Sequence, residues 1–108
     1  MSKESYKNKM DSIKRDIARK RAEITSYNDK IKDCQTKKKQ QREYYSKLIK
    51  ATRISNSKAS YRSLMNSSLK SIDYSIASYR SNIANIKRSI ESLQKALKNT
   101  QEAYRKVK

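Results

Sequence analysis

Apolar side chains recur along this chain at alternating steps of four and three residues. In the first half, thirteen positions follow these steps and ten of them are apolar or aromatic; the positions are Tyr6, Met10, Ile13, Ile17, Lys20, Ile24, Tyr27, Ile31, Cys34, Lys38, Gln41, Tyr45 and Leu48. In the second half, eleven of twelve such positions are apolar or aromatic, and they are Leu69, Ile72, Ile76, Tyr79, Ile83, Ile86, Ile90, Leu93, Leu97, Thr100, Tyr104 and Val107. This spacing puts side chains on one face of an α-helix and does not fit the two-residue period of a β-strand. Both halves are therefore predicted to be helical, and we call the two apolar stripes together the seam.

The periodicity lapses between Ile49 and Leu64. Ser55, Asn56 and Ser57 lie in this interval, and their short polar side chains favour turns and helix N-caps over helix interiors. A hairpin of two antiparallel helices is the expected arrangement, because each stripe otherwise lacks a partner within the chain. One long bent helix is the alternative, since the sequence has no Gly or Pro to enforce a turn. We predict a single domain over residues 1–108, with helices at about 4–52 and about 60–107 and a bend at about 53–59.

A two-helix hairpin of this kind has a small interior. Hydrophobic residues make up 34% of the chain, against about 45–50% in ordinary globular domains. We therefore expect an all-α, coiled-coil-like hairpin whose bundle is completed by a partner helix or by self-association. The residues expected to form the partner-packing seam are Ile13, Ile17, Ile24, Ile31, Ile72, Ile76, Ile83, Ile86, Ile90, Leu93 and Leu97. Some of them would pack within the hairpin and others across an interface, and the pattern does not distinguish the two.

The composition excludes most catalytic sites. The chain has no His, no Gly and one cysteine, Cys34. His-based triads, His/Cys zinc sites and glycine-rich phosphate loops are therefore excluded. Cys34 lies on the seam and is expected to act as a small apolar side chain. We expect no enzymatic activity, no catalytic or metal-binding residues and no cofactor.

The chain is strongly basic, with 28 Lys and Arg against 10 Asp and Glu, a formal net charge of +18. The densest cluster is Lys37, Lys38, Lys39 and Arg42, which two tyrosines follow. This basic patch is either the solvated face of a lysine-rich helix or a phosphate-binding surface with aromatic rings for stacking. No apolar run has the length of a membrane span, and the N-terminus has no hydrophobic stretch for a secretory signal. A cytoplasmic location is expected, with co-export through a signal-peptide-independent route left open.

Two segments of the chain carry a resemblance to a known family, and they are the opening arm MDSIKRDIARKRAEITSYNDKIKDCQ and the closing arm YRSNIANIKRSIESLQKALKNTQEAY. They resemble the small helical-hairpin proteins of Gram-positive type VII (ESX) secretion, and more closely the YwqH-like group associated with LXG toxins. The resemblance implies a targeting chaperone that binds the helical LXG domain of a toxin, alone or with a second small helical protein. The chain lacks a Trp-x-Gly bend and a Tyr-x-x-x-Asp/Glu export motif. An export signal would therefore have to come from the toxin or a co-partner.

Three functions follow as hypotheses. The first is a non-enzymatic adaptor that packs its helices beside those of a protein partner and promotes toxin export. The alternative is a basic coiled-coil protein that binds nucleic acid non-specifically through phosphate contacts, with binding that weakens steeply as salt rises. A structural coiled-coil component that forms elongated homo-oligomers is the third.

Overall fold

A computed structural model of the chain describes residues 2–107 and contains two α-helices. Helix α1 spans Lys3–Ala51 and helix α2 spans Ser55–Lys106, with residues 52–54 connecting them. Within the described residues there is no β-strand. The predicted fold class, an all-α helical hairpin, is confirmed.

The connection between the helices is shorter than the bend expected at 53–59. Helix α2 begins at Ser55 rather than near residue 60. The Lys58 amide donates a hydrogen bond to the Ile54 carbonyl at 3.0 Å, which makes Ile54 the N-cap residue of α2. The short polar residues that suggest a turn instead occupy the first turn of the helix, because nothing from Ser55 onward forces the backbone out of helical geometry.

The outer helix ends have conventional caps and charges. The Ser5 amide donates a hydrogen bond to the Ser2 hydroxyl at 3.1 Å, the bond expected of a serine N-cap. Glu4 lies in the first turn of α1, and Arg105 and Lys106 lie in the last turn of α2. The negative charge of Glu4 lies near the partial positive charge of a helix N-terminus, and the two positive charges lie near the partial negative charge of a helix C-terminus.

The chain divides into two compact units. Unit 1 consists of Met1–Tyr27 and Asn82–Lys108, so it pairs the first half of α1 with the second half of α2. Its core is a cluster of Ile13, Ile17 and Ile90, each less than 9% exposed. The half-buried side chains that pack against this cluster are Ile24, Ile86, Leu93, Ala96 and Leu97.

Unit 2, Asn28–Ser81, contains the remainder of α1, the connection and the first half of α2. Its buried apolar residues are Ile31, Ile72 and Ile76. Between Ile31 and Ile72 every residue is half-buried or exposed. The part of unit 2 nearest the connection therefore has few tightly packed side chains.

Burial follows the seam residue by residue. All thirteen seam positions of the first half of the chain and all twelve of the second half are buried or half-buried. Yet no side chain in the described part of the chain is less than 2% exposed. The two helices thus form a single layer of contacts with no closed interior.

Candidate interaction surfaces

The hydrophobic residues predicted for partner packing lie mostly between the chain's own helices. Seven of the eleven are buried, and they are Ile13, Ile17, Ile31, Ile72, Ile76, Ile83 and Ile90. The other four are half-buried and they are Ile24, Ile86, Leu93 and Leu97. These side chains hold the hairpin together, so the surface left for a partner lies along the two edges of the seam.

One edge of unit 1 has a depression of about 240 Å³ that we call the Ile17 groove. Its apolar lining comes from Ile17, Ala18 and Leu97, and its polar lining from Lys14, Arg21 and Gln94. Lys14 and Arg21 are exposed residues. The groove therefore combines an apolar floor with positive charge.

A second depression in unit 1, of about 260 Å³, is named here the Ala96 groove. Its lining includes Ala96, Ala103 and Thr100 from α2 and Tyr6 and Lys9 from α1. The buried Thr100 hydroxyl donates a hydrogen bond to the Ala96 carbonyl at 2.8 Å, so this polar atom is satisfied within its own helix. Small side chains on α2 keep the groove shallow and open to another backbone.

Ala96 and Ala103 belong to a series of short uncharged α2 residues that recur every seven positions. Its members are Ser68, Ser75, Asn82, Ser89, Ala96 and Ala103, and all six are half-buried. A search of the sequence for apolar residues does not find this series, because four of its members are polar. The sequence feature that could have found it is the recurrence of short uncharged side chains every seven residues. Ala77 and Ala84, which widen the apolar stripe in sequence, are exposed.

The basic patch divides between two faces of α1. Lys38 is a seam residue, and its Nζ donates a hydrogen bond to Asp73 Oδ1 of α2 at 2.6 Å. The Lys38 side chain is 25% exposed, whereas Lys37, Lys39 and Arg42 are exposed residues. A phosphate-binding surface here would therefore consist of the other three cations, because the Lys38 charge is directed towards Asp73.

Tyrosine rings line unit 2 and the end of unit 1. The Tyr44 ring is 58% exposed and meets the Tyr45 ring edge-on at 5.2 Å between centroids. In unit 1, the Lys3 ammonium lies 5.6 Å from the centroid of the Tyr104 ring across the two helices. Such cation–π contacts join the helices at partly solvated positions.

Positive charge is unopposed around the connection. Residues 44–72 contain no Asp or Glu and six basic residues. Ile54, in the connection itself, is 66% exposed. Exposed apolar and basic side chains are therefore combined at this end of unit 2.

Acidic side chains and the one cysteine are the candidate metal ligands within residues 2–107. Asp16 and Arg19, three residues apart on α1, make an ion pair at 3.9 Å. Cys34 is a half-buried free thiol. Across residues 2–107, no group of three or more Cys, Asp and Glu residues could hold a metal ion. Neither helix, over the part that the structure describes, is long and apolar enough to cross a membrane.

The chain matches no protein-family model, and it shows no significant similarity to a curated protein or a solved structure.

Proposed function

We propose that this protein is a non-enzymatic adaptor that binds a helical partner along the grooves of unit 1. The observation behind the proposal is that the Ile13–Ile17–Ile90 core is well packed but covered by only two helices, with open depressions on both edges. A third helix lying along the Ile17 groove would cover Ile17 and Leu97. A helix lying along the Ala96 groove would cover Ala96 and Ala103. Burial of apolar surface is the main favourable term in such association.

The grooves define the chemistry of the partner. The Ile17 groove has an apolar floor beside the exposed Lys14 and Arg21, and the Ala96 groove includes the exposed Lys9. A matching helix would carry one apolar stripe flanked by Asp and Glu. Charge complementarity of this kind raises the association rate more than the final affinity.

The resemblance to LXG-associated hairpin proteins supplies a specific partner. We assign the partner as the helical LXG domain of a type VII secreted toxin, with this chain acting as a targeting chaperone for its export. A second small helical protein could complete the same bundle. The support for this assignment is the hairpin fold and the basic, open edges of unit 1.

The test is co-expression with an LXG domain, followed by size exclusion with light scattering. A stable complex is expected, and Ala96→Arg should weaken it because a long charged side chain would fill one of the two grooves. Ala84→Arg is the matched control, since Ala84 is exposed on the same helix. Thermal melts of both variants separate lost binding from lost folding. Equal binding by the two variants would reject the groove as the interface.

Nucleic-acid binding is the second candidate, favoured by the exposed Tyr44 ring near the exposed cations of the basic patch. The structure selects the residues to change: Lys37, Lys39 and Arg42 should be replaced by Glu together, while Lys38 is kept to preserve its bond to Asp73. Oligonucleotide binding that the triple variant does not weaken would reject this surface.

A further inference from the structure

Ile54 stands out because it serves no evident purpose in the fold. It occupies the N-cap of α2, where Ser, Thr, Asp and Asn are favoured because their side chains accept hydrogen bonds from the first turn. Isoleucine has no such acceptor, and this side chain is 66% exposed. A position that breaks a local folding rule without gaining burial is a candidate for a role in binding.

Basic residues surround Ile54 on both sides in sequence. Lys47, Lys50, Arg53 and Lys58 all lie within seven residues of it, and Lys58 is half-buried while the other three are exposed. At 1.5 Å per helical residue, each lies within about 11 Å of the connection along its helix. Because no carboxylate occurs in residues 44–72, no local negative charge opposes them. We call residues 47–58 the apex segment.

We propose that the apex segment docks on the surface of an anionic phospholipid bilayer. Ile54 enters the boundary between headgroups and acyl chains, and the surrounding cations lie against the lipid phosphates. Each cation near an anionic bilayer strengthens binding by about fivefold. Burying one isoleucine side chain adds about tenfold or more. The contact is peripheral and reversible, and it is independent of helix binding by unit 1.

A lipid surface fits the apex segment better than a nucleic acid does. Residues 46–60 contain no aromatic side chain, so bases have nothing to stack on there. The exposed apolar side chains of this stretch are Ala51, Ile54 and Ala59, all aliphatic. Phosphate contacts alone would explain the cations but would leave an exposed isoleucine at the N-cap without a role.

The experiment is co-sedimentation of the full chain with vesicles of phosphatidylglycerol mixed with phosphatidylcholine, beside vesicles of phosphatidylcholine alone. Binding is expected only to the anionic vesicles, and it should weaken as salt rises. Ile54→Ser should reduce it by about tenfold. This variant supplies a better N-cap than the native residue, so a loss of binding cannot be attributed to a failure to fold.

Two matched controls locate the contact. The triple variant Lys47→Gln, Lys50→Gln and Arg53→Gln should lose more than tenfold in affinity for anionic vesicles. Arg15→Gln, Lys95→Gln and Lys98→Gln remove the same charge from exposed positions of unit 1 and should change it far less. Leu64→Gln removes another exposed leucine-sized side chain, about 15 Å along α2 from Ile54, and should have little effect.

Several results would overturn the proposal. One is the absence of binding to anionic vesicles at low salt, and another is vesicle binding that Ile54→Ser leaves unchanged. Equal losses in the two triple variants would mean that net charge alone drives the contact. The protein could also bind a single-stranded oligonucleotide but not vesicles, with the apex triple variant weakening the oligonucleotide binding. That result would identify the apex segment as a nucleic-acid-binding surface instead.

Discussion

Replacing Ile17 by Ala should lower the free energy of unfolding by about 2–3 kcal/mol. The substitution deletes three carbons from a side chain that is 6% exposed, and at about 0.8 kcal/mol per buried methylene the transfer loss is roughly 2.4 kcal/mol. Alanine has a higher helix propensity than isoleucine, which reduces this loss of unfolding free energy by about 0.5 kcal/mol. A cavity adds a smaller cost than in a closed core, because the Ile17 groove lets solvent and neighbouring side chains fill the space.

The measurement is urea unfolding followed by far-ultraviolet circular dichroism, at two protein concentrations. A loss of this size corresponds to a fall in melting temperature of roughly 10–20 °C for a chain this small. Ile54→Ala is the matched control, because it makes the same deletion where the side chain is 66% exposed. It should change the unfolding free energy by less than about 0.5 kcal/mol.

Two outcomes would refute the reasoning. A loss below about 1 kcal/mol for Ile17→Ala would mean that the cluster around Ile17 is not the folding core of unit 1. A loss above about 4 kcal/mol, with unfolding that depends on protein concentration, would mean that another copy of the chain closes this core in solution.

Three further experiments test individual contacts with the same urea titrations. A double-mutant cycle of Lys38→Met and Asp73→Asn should give a coupling of about 0.5–1 kcal/mol that falls with salt, and zero coupling would contradict a formed ion pair. Thr100→Val should stabilise the protein by up to about 1 kcal/mol, because the buried hydroxyl bonds only a carbonyl of its own helix; a loss of similar size would contradict this. Ile54→Ser should stabilise α2 by about 0.5–1 kcal/mol, and no gain would count against Ile54 as the N-cap.

Helical periodicity was sufficient to predict the fold class and the buried face. Every position of the four-and-three walk is at least half-buried, including Lys20, Lys38 and Gln41, whose side chains are polar. Their spacing alone therefore accounts for their partial burial. On a continuous helix, a residue three or four positions from packed residues lies on the same face as they do. On α1, two residues beside the stripe, Asp16 and Ile49, are also half-buried, as expected for the flank of a helix pair.

The start of α2 was not predictable from local propensity. Ser55, Asn56 and Ser57 are equally suited to a turn and to a first helical turn, and the residue that caps the helix is Ile54, a poor N-cap. At the end of the lapse in the stripe, Leu64 is exposed while its neighbour Met65 is half-buried.

The ion pair of Lys38 could have been predicted only from the register between the two helices. In sequence it is the middle of three lysines, and its partner Asp73 lies 35 residues away. A pattern within one helix cannot show which residue of the other helix lies opposite. For the same reason the sequence could not show that most of the seam isoleucines are buried within the hairpin, leaving its edges for a partner.

The two proposed contacts lie in different units, so single substitutions should separate them. Ala96→Arg alters the Ala96 groove of unit 1 and should weaken the complex with an acidic helical partner, while vesicle binding stays within about twofold because the substitution changes no residue of the apex segment. Ile54→Ser should do the reverse, since it removes the apolar contact with lipid and leaves the grooves unchanged. Light scattering and vesicle co-sedimentation on the same two proteins provide the measurement. If either variant weakened both activities without lowering thermal stability, one continuous surface would serve both partners, and the assignment of separate roles to the two units would be wrong.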